Sequence, residues 1–550
     1  MPFIRNDRLQ KIVFAAALAC ASWFCLSGKP RLHGDGLEYI LQTQAISLHG
    51  RLSIDCETLR DYWNATNPYG SILTATRAPQ SQLSESAQAG GGWGGLYPDR
   101  FGVYRYYHFW AYSLAVAPLY SCLHYLVGAP FEYHAFRIVN WILLLIPFIA
   151  AWYRKPGWLL TAIFALSLFS PLVPYTDWQH PEIFCFSLIF LSFWLAASSR
   201  WFWWAPLPLG IAAAQNVPIG LFFPAHVAYM IYQHRQEIQR APLLAAGAYG
   251  TALLVAAGST LYWLHYFGCV NVIAAVGGAD LRFSSLGRVS DLFLSPAVGA
   301  VWLYPTLFLL LPWMIRKREV PLVILTALSV LAVSCLAVAT GNFNAGQVGS
   351  LRYAVWILAP FWYLLTKGTP PDTGRRGVYR NVLLTGCMVL NVLMLVAFKS
   401  NRLARKDTRR FEGSHRGVPE VAALYSLLHY NDDAEILAET IQGEELSHRA
   451  QFNGIYLWTL TPRSSLCVIV RPDLPGSILA EWPAEAAFAY RTVPKGNAVL
   501  QFTNGLAQLI VPINAAYRKH PYLGDNMIVW MDTAITEPQG LVKMSVRDSR

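Results

Sequence analysis

Apolar residues fall in runs of helical length at about 12–27, 131–152, 157–174, 183–199, 201–217, 219–233, 242–267, 297–315, 320–340, 353–366 and 380–398. Each approaches the roughly 20 residues that carry a helix across the hydrocarbon of a bilayer, so the pattern predicts a polytopic all-α membrane protein. Eleven crossings follow from these runs. A further apolar run, His108 to Val127, is long enough to cross, and its neighbours Tyr106, Tyr107, Trp110, Tyr112 and Tyr120 suit the headgroup zone. Leu37 to Leu48 reads as an amphipathic helix, and Gln88 to Gly95 is too glycine-rich for regular structure, so it is expected to be a mobile flap. After residue 399 the pattern changes. A helix is predicted over Val418 to Tyr430, then short strands at Leu466 to Val470, Ala498 to Phe502, Leu506 to Ile513 and Met527 to Met531, making 399–550 a small α+β domain.

Composition agrees with the runs: 54% of residues are hydrophobic and 14% charged, against roughly a quarter charged in soluble domains. The net charge of +11 is spread over short loops, which argues against a nucleic-acid partner and makes the basic residues a topology signal. If the run at 108–127 lies along the surface, one side receives Arg5, Arg8, Lys11, Arg154, Lys155, Arg200, Arg235, Arg240, Arg316, Lys317, Arg318, Lys367, Arg375, Arg376 and Arg380. The other receives Arg282, Arg288 and Arg352 in its short loops. The positive-inside rule then puts the N-terminus in the cytoplasm. Segment 28–128 and the tail from 399 fall on the opposite side. The nine cysteines show no zinc spacing. Ile12 to Leu26 lacks a following small-residue cleavage site and reads as a retained first helix.

Three clusters carry candidate chemistry. Asp35 lies between Gly34 and Gly36, at the mouth of the first crossing and before the Leu37 helix; an N-cap carboxylate is the plain alternative. Pro174 to Glu182 places Asp177, His180 and Glu182 in one short turn, where ionisable groups at membrane depth suggest function and a solvated turn with a Pro-Glu helix start is the alternative. Gly341 to Tyr353 is a polar loop ending in Arg352, whose guanidinium suits a phosphate, or which snorkels to the interface. A lesser cluster of Asp280, Arg282, Arg288 and Asp291 reads as a solvated loop.

The segments Gly34-Asp35-Gly36-Leu37-Glu38-Tyr39, Tyr107 to Tyr112 through Ala117 to Tyr120, Ser295-Pro296 through Trp302 to Pro305, and Leu351-Arg352-Tyr353 through Ala359-Pro360 stand in a recognisable order. Over residues 1–400 that order resembles the polyprenyl-phosphate-dependent membrane glycosyltransferases of the GT-C fold, which include aminoarabinose transferases and protein O-mannosyltransferases. The resemblance implies transfer of a hexose or pentose from a polyprenyl-phosphate donor to a lipid or glycan acceptor, with inversion, at the periplasmic face of a bacterial inner membrane. It implies Asp35 as general base, with Asp177, His180 or Glu182 supplying the second catalytic group. Glu38, Tyr39, His108, Arg352 and Tyr353 are the expected substrate-binding set. The family often has Asp-Pro where this chain has His180-Pro181, which leaves open both the second group and a bridging divalent metal as cofactor. A lipid-linked glycan transporter or flippase, a glycan polymerase or ligase, and a scaffold with the tail as binding module are the alternative functions.

Overall fold

The computed structural model describes residues 36–55, 95–128, 131–154, 172–275, 284–295, 299–305, 307–309, 320–340 and 352–366, single positions elsewhere up to residue 390, and strands within 449–534. By contacts the chain divides into two compact units, Met1–Val289 with Ala300–Gly346 and Leu351–Val396, and Ser290–Gly299 with Gln347–Ser350 and Ala397–Arg550.

The first unit is helical. In chain order its elements are α1 (Gly36–His49), the hairpin β1 (Leu96–Pro98) and β2 (Tyr104–Tyr106), α2 (Ala111–Leu126), α3 (His134–Arg154), α4 (Glu182–Ala196), α5 (Pro206–Gln215), α6 (Phe223–Arg240), α7 (Pro242–Ala256) and α8 (Gly258–Tyr266). Helix α9 (Leu286–Leu294) belongs to the first unit up to Val289 and to the second from Ser290, and the first unit continues with α10 (Val320–Ala337), α11 (Ala354–Ile357) and α12 (Ala359–Thr366). Two stretches, Pro242–Tyr266 and Val320–Ala337, are long and apolar enough to cross a membrane. Both expose large apolar side chains, Leu243, Leu254 and Leu264 on the first and Ile324, Leu328 and Leu331 on the second, as lipid-facing surfaces require.

Other predicted crossings differ in detail. The run at 201–217 holds a 3-10 turn, Phe202–Trp204, and the ten-residue α5, which ends before Pro218. Ten residues rise about 15 Å, half a hydrocarbon thickness. The α5 and α7 backbones touch where a side chain on Gly210 would meet the carbonyl of Ala252, a close approach open only to glycine. The run at 157–171 lies outside the described residues, as do Asp35, the glycine-rich segment 88–94 and the helix predicted at Val418 to Tyr430.

Helix α1 forms where the sequence predicts it, but it is not amphipathic in its setting: Glu38, Tyr39, Ile40, Leu41, Gln42, Thr43, Gln44 and Ala45 are all buried. Its polar groups find partners inside. Gln42 Nε2 donates to the His108 carbonyl at 3.2 Å, Ser113 Oγ donates to Gln42 Oε1 at 2.8 Å, and Gln44 Nε2 donates to the Thr58 carbonyl at 3.2 Å. The lesser cluster also departs from expectation. Arg288 and Asp291 are each 1% exposed rather than solvated. Arg288 Nη1 donates to the carbonyls of Val338 at 3.3 Å and Thr340 at 2.7 Å, and Ser284 Oγ to that of Cys335 at 2.7 Å. These donors satisfy the carbonyls left open where α10 ends, and a cation there complements the helix dipole. Asp280 and Arg282 lie outside the described residues.

In the second unit two antiparallel sheets form, one ordered β3 (Arg449–Phe452), β4 (Ile455–Leu460), β5 (Ser465–Val470), β10 (Met527–Ala534), β7 (Val493–Pro494), the other β6 (Ala480–Pro483), β9 (Leu506–Ile510), β8 (Val499–Thr503). The four predicted strands correspond to β5, β8, β9 and β10. In register, Cys467 lies opposite Trp458 of β4 and Trp530 of β10.

Candidate functional site

Separate segments of the first unit bring the candidate residues together. Pro174 belongs to a 3-10 turn, Val173–Asp177, and Pro181 precedes α4, so both ends of the Asp177 to Glu182 link are fixed by proline. His180, the residue before Pro181, is kept from helical backbone by the proline ring, and the chain passes there from one helical segment to the next. Glu182 occupies the first turn of α4, where the helix dipole favours a carboxylate.

Arg352, immediately before Tyr353 and α11, reaches this turn. Its Nη1 donates to His180 Nδ1 at 2.9 Å, and its Nε lies 3.6 Å from Glu182 Oε1. His180 is 1% exposed, Glu182 3% and Arg352 9%, so the triad is built in the interior and the arginine does not snorkel. Arginine has only donors, which makes His180 Nδ1 the acceptor and puts the proton of the neutral ring on Nε2. Tyr353 lies beside the guanidinium, 5.4 Å from its carbon, and packs on Trp356 at 5.8 Å.

Asp177 is directed elsewhere. Its Oδ1 lies 2.8 Å from Nε of Arg137 on α3, and one turn further along α3 the amide of Asn140 donates to the Trp178 carbonyl at 2.7 Å and to that of Thr176 at 3.4 Å. Asn140 Oδ1 in turn accepts from Tyr112 Oη at 3.0 Å. Arg137 and Asn140 thus clamp the turn that presents His180. Sequence reasoning missed both, although a basic and an amide residue three apart in an apolar run fall on one helix face and give a readable signal.

A second group sits on the other side of Tyr39. His108 Nε2 lies 3.4 Å from Glu38 Oε2, and the imidazole packs between Tyr107, at 4.2 Å between centroids, and Tyr39, stacked at 5.1 Å. Tyr39 also meets His180 at 5.7 Å and Tyr112 at 5.6 Å, so one tyrosine ring joins the two groups. Gly95, at φ 80°, closes over the pair: a side chain on it would meet the Glu38 carboxylate and the Tyr107 ring. Burial, and then the nearby Glu38 carboxylate, raise the Tyr97 phenol above its ordinary value.

The β1–β2 hairpin holds this group in place. Arg105 stacks on Tyr266 of α8 at 3.8 Å, the Arg100 amide donates to the Tyr266 carbonyl at 2.8 Å, and Trp263 Nε1 donates to the Tyr107 carbonyl at 2.9 Å. Asp99 organises the turn, accepting from Arg105 Nε at 2.8 Å and from the amides of Phe101 and Val103 at 2.8 and 2.9 Å. Burial pushes the Asp99 carboxyl up, but the Arg105 and amide hydrogen bonds outweigh it and hold the group below the usual aspartate range. A depressed value means that the stabilisation is complete above the unfolded value of about pH 4 and is lost as pH falls through the lower folded value. Hydrogen exchange at Phe101 and Val103, corrected for intrinsic rates, is therefore expected to accelerate below about pH 4 in the wild type. In Asp99→Asn it is fast already at neutral pH and loses that dependence; equal protection in the two proteins would contradict this role for the carboxylate.

Of the sequence candidates, Glu38, Tyr39, His108, His180, Glu182, Arg352 and Tyr353 share this region, with Asp177 joined to it through the turn. Asp35 stands one residue before α1 but lies outside the described residues. Among the described residues no group of three His, Cys, Asp or Glu side chains suits a metal ion. Asp177 and Glu182 each face an arginine, an arrangement that disfavours a divalent cation at these carboxylates. Comparisons of the chain with protein-family models, with curated proteins and with solved structures find no match.

Proposed function

We propose that the chain is an integral membrane glycosyltransferase of GT-C type that moves a hexose or pentose from a polyprenyl-phosphate carrier to a lipid or glycan acceptor. In this proposal eleven helices cross the bacterial inner membrane, α2 lies along the periplasmic surface, and the sheet-forming unit is periplasmic. The in-plane placement of α2 keeps Arg316, Lys317 and Arg318 on the cytoplasmic side.

The observation that carries the proposal is the buried Arg352, held between a neutral imidazole and a carboxylate at the start of α4. A fixed guanidinium suits a phosphate that gains negative charge as it departs. The acceptor oxygen attacks the anomeric carbon as the bond from that carbon to the phosphate oxygen breaks, the electron pair leaving with the phosphate. Asp35 takes the hydroxyl proton. Glu182 and His180 position Arg352, and His180, in its Nε2–H tautomer, is a neutral donor to a phosphate oxygen. Arg137, Asp177 and Asn140 fix the turn.

The test is transfer of label from radiolabelled polyprenyl-phosphate sugars in membranes carrying the wild type or Asp35→Asn. The expected loss in the variant is at least about a hundredfold, the lower range for a general base. Full transfer by Asp35→Asn would remove the base assignment. A wild type that consumes no donor from a broad panel, yet changes the sidedness of a labelled lipid, would replace the transferase with a transporter.

A further inference from the structure

The turn from α2 into α3 encloses a carboxylate that the fold does not pair. Glu132, in the short 3-10 segment Phe131–Tyr133 ahead of α3, is 1% exposed. Its Oε2 has no hydrogen-bond partner among the described residues, and its Oε1 lies 3.7 Å from Nδ1 of His124, an atom that also has no hydrogen bond there. Among the described residues His124 is the one basic group in ion-pair range of this acid. An ionised carboxylate in the interior is costly until charge-assisted hydrogen bonds answer it.

The surroundings favour a positive charge at this turn. His124 stands in the last turn of α2, and the helix closes where the amides of Val127 and Gly128 both donate to the Leu123 carbonyl, at 3.0 and 3.1 Å, with Gly128 at φ 86°. The negative end of the α2 dipole and the Glu132 carboxylate therefore meet at one place. Around them the chain turns apolar groups outward. Tyr125, Leu126, Val127 and Phe131 are each more than half exposed, and Phe131 stacks on His134, the first residue of α3, at 6.0 Å. Further along α3, Ile142, Ile146 and Ile149 are exposed at the spacing of one helix face. An enclosed acid, an imidazole with a third of its side chain open and an apolar rim together match an amphiphile with a cationic head.

We propose that this turn binds a phosphatidylethanolamine molecule, its primary ammonium donating to the Glu132 carboxylate and its acyl chains lying along Leu126, Val127 and Phe131. His124 moves aside to admit the ammonium and donates a ring N–H to the lipid phosphate, which is two carbons away from the nitrogen. A primary ammonium brings three donors to a carboxylate that has an open oxygen, whereas the trimethylammonium of phosphatidylcholine brings none. The exposed apolar rim favours a lipid over a free amine. The inference rests on the membrane placement of the chain and is independent of the transferase chemistry.

The test uses the full chain in nanodiscs of phosphatidylcholine, alone or mixed with phosphatidylethanolamine of the same acyl chains. The wild type is expected to unfold a few degrees higher in the mixture, and to retain phosphatidylethanolamine in native mass spectra. Glu132→Gln keeps the shape of the side chain and removes its charge. It is expected to lose the gain from phosphatidylethanolamine and, with no unpaired charge in the interior, to be more stable than the wild type in phosphatidylcholine alone. Leu126→Ser, at an exposed position, is expected to unfold like the wild type in phosphatidylcholine and to retain less phosphatidylethanolamine. An equal gain in the wild type and Glu132→Gln would belong to the bilayer as a whole and overturns the site, as does a wild type indifferent to the lipid. Free ethanolamine that reproduces the gain in phosphatidylcholine overturns the lipid as the occupant. Should Glu132→Gln fail to fold, undiminished lipid retention by Leu126→Ser overturns the proposal.

Discussion

Methionine in place of Arg352 is expected to destabilise the first unit by about 3–5 kcal/mol, because Glu182 is then left in the interior without its arginine. Transfer is expected to fall by roughly a thousandfold, the upper range for loss of one preorganised stabilising group. The two effects can be separated. In Arg352→Met combined with Glu182→Gln neither charge is buried, so most of the stability is expected to return while transfer stays low, since nothing replaces the guanidinium at the phosphate. Thermal unfolding in detergent reads the first effect and label transfer the second. A double variant as unstable as Arg352→Met would show that the pairing with Glu182 is not what the arginine supplies to the fold. A double variant with restored transfer would remove Arg352 from the chemistry.

Alanine at Gly95 is expected to have the next largest effect. The backbone there is left-handed, which costs an L-residue roughly 1–2 kcal/mol. The added carbon would also overlap the Glu38 carboxylate and the edge of the Tyr107 ring, a form of overpacking that costs about 1–3 kcal/mol more. Gly95→Ala should therefore lose about 2–5 kcal/mol and part Glu38 from His108. Shortening the acid in Gly95→Ala with Glu38→Ala should recover the part of the overlap that Glu38 makes and leave the Tyr107 overlap and the backbone part, a non-additivity measurable in a double-mutant cycle. Additive losses would mean that Gly95 does not close over Glu38.

How much of this was legible beforehand follows the reach of each signal. Strands β5, β8, β9 and β10 were readable because their apolar runs and turn residues are local signals, whereas β3, β6 and β7 have four residues or fewer. The location of α1 was readable from its spacing, but its burial on every side was not: Gln42, Thr43 and Gln44 resemble a wet face until their partners on other segments are known. The candidate residues were found by type and topology. Their pairing was not, since the choice of Arg352 for His180 and Glu182, and of Arg137 for Asp177, is made by packing between segments far apart in sequence. Arg137 was lost for a further reason: inside an apolar run a single arginine looks like a helix-end anchor, and only its neighbour Asn140 betrays an inward face.

The pairing of Arg352 with His180 spans 172 residues of chain. At translation rates of about 5–20 residues per second, the stretch between them takes roughly ten to thirty seconds to emerge. Throughout that interval the α3 clamp can already hold the Asp177 turn, because Arg137 and Asn140 are made first. Glu182, though, is synthesised long before its arginine. Until Arg352 is made, the Glu182 carboxylate lacks this arginine as a partner. The Arg352–His180 pair therefore closes only after the whole intervening stretch has been made, an order set by the sequence rather than by the stability of the finished fold.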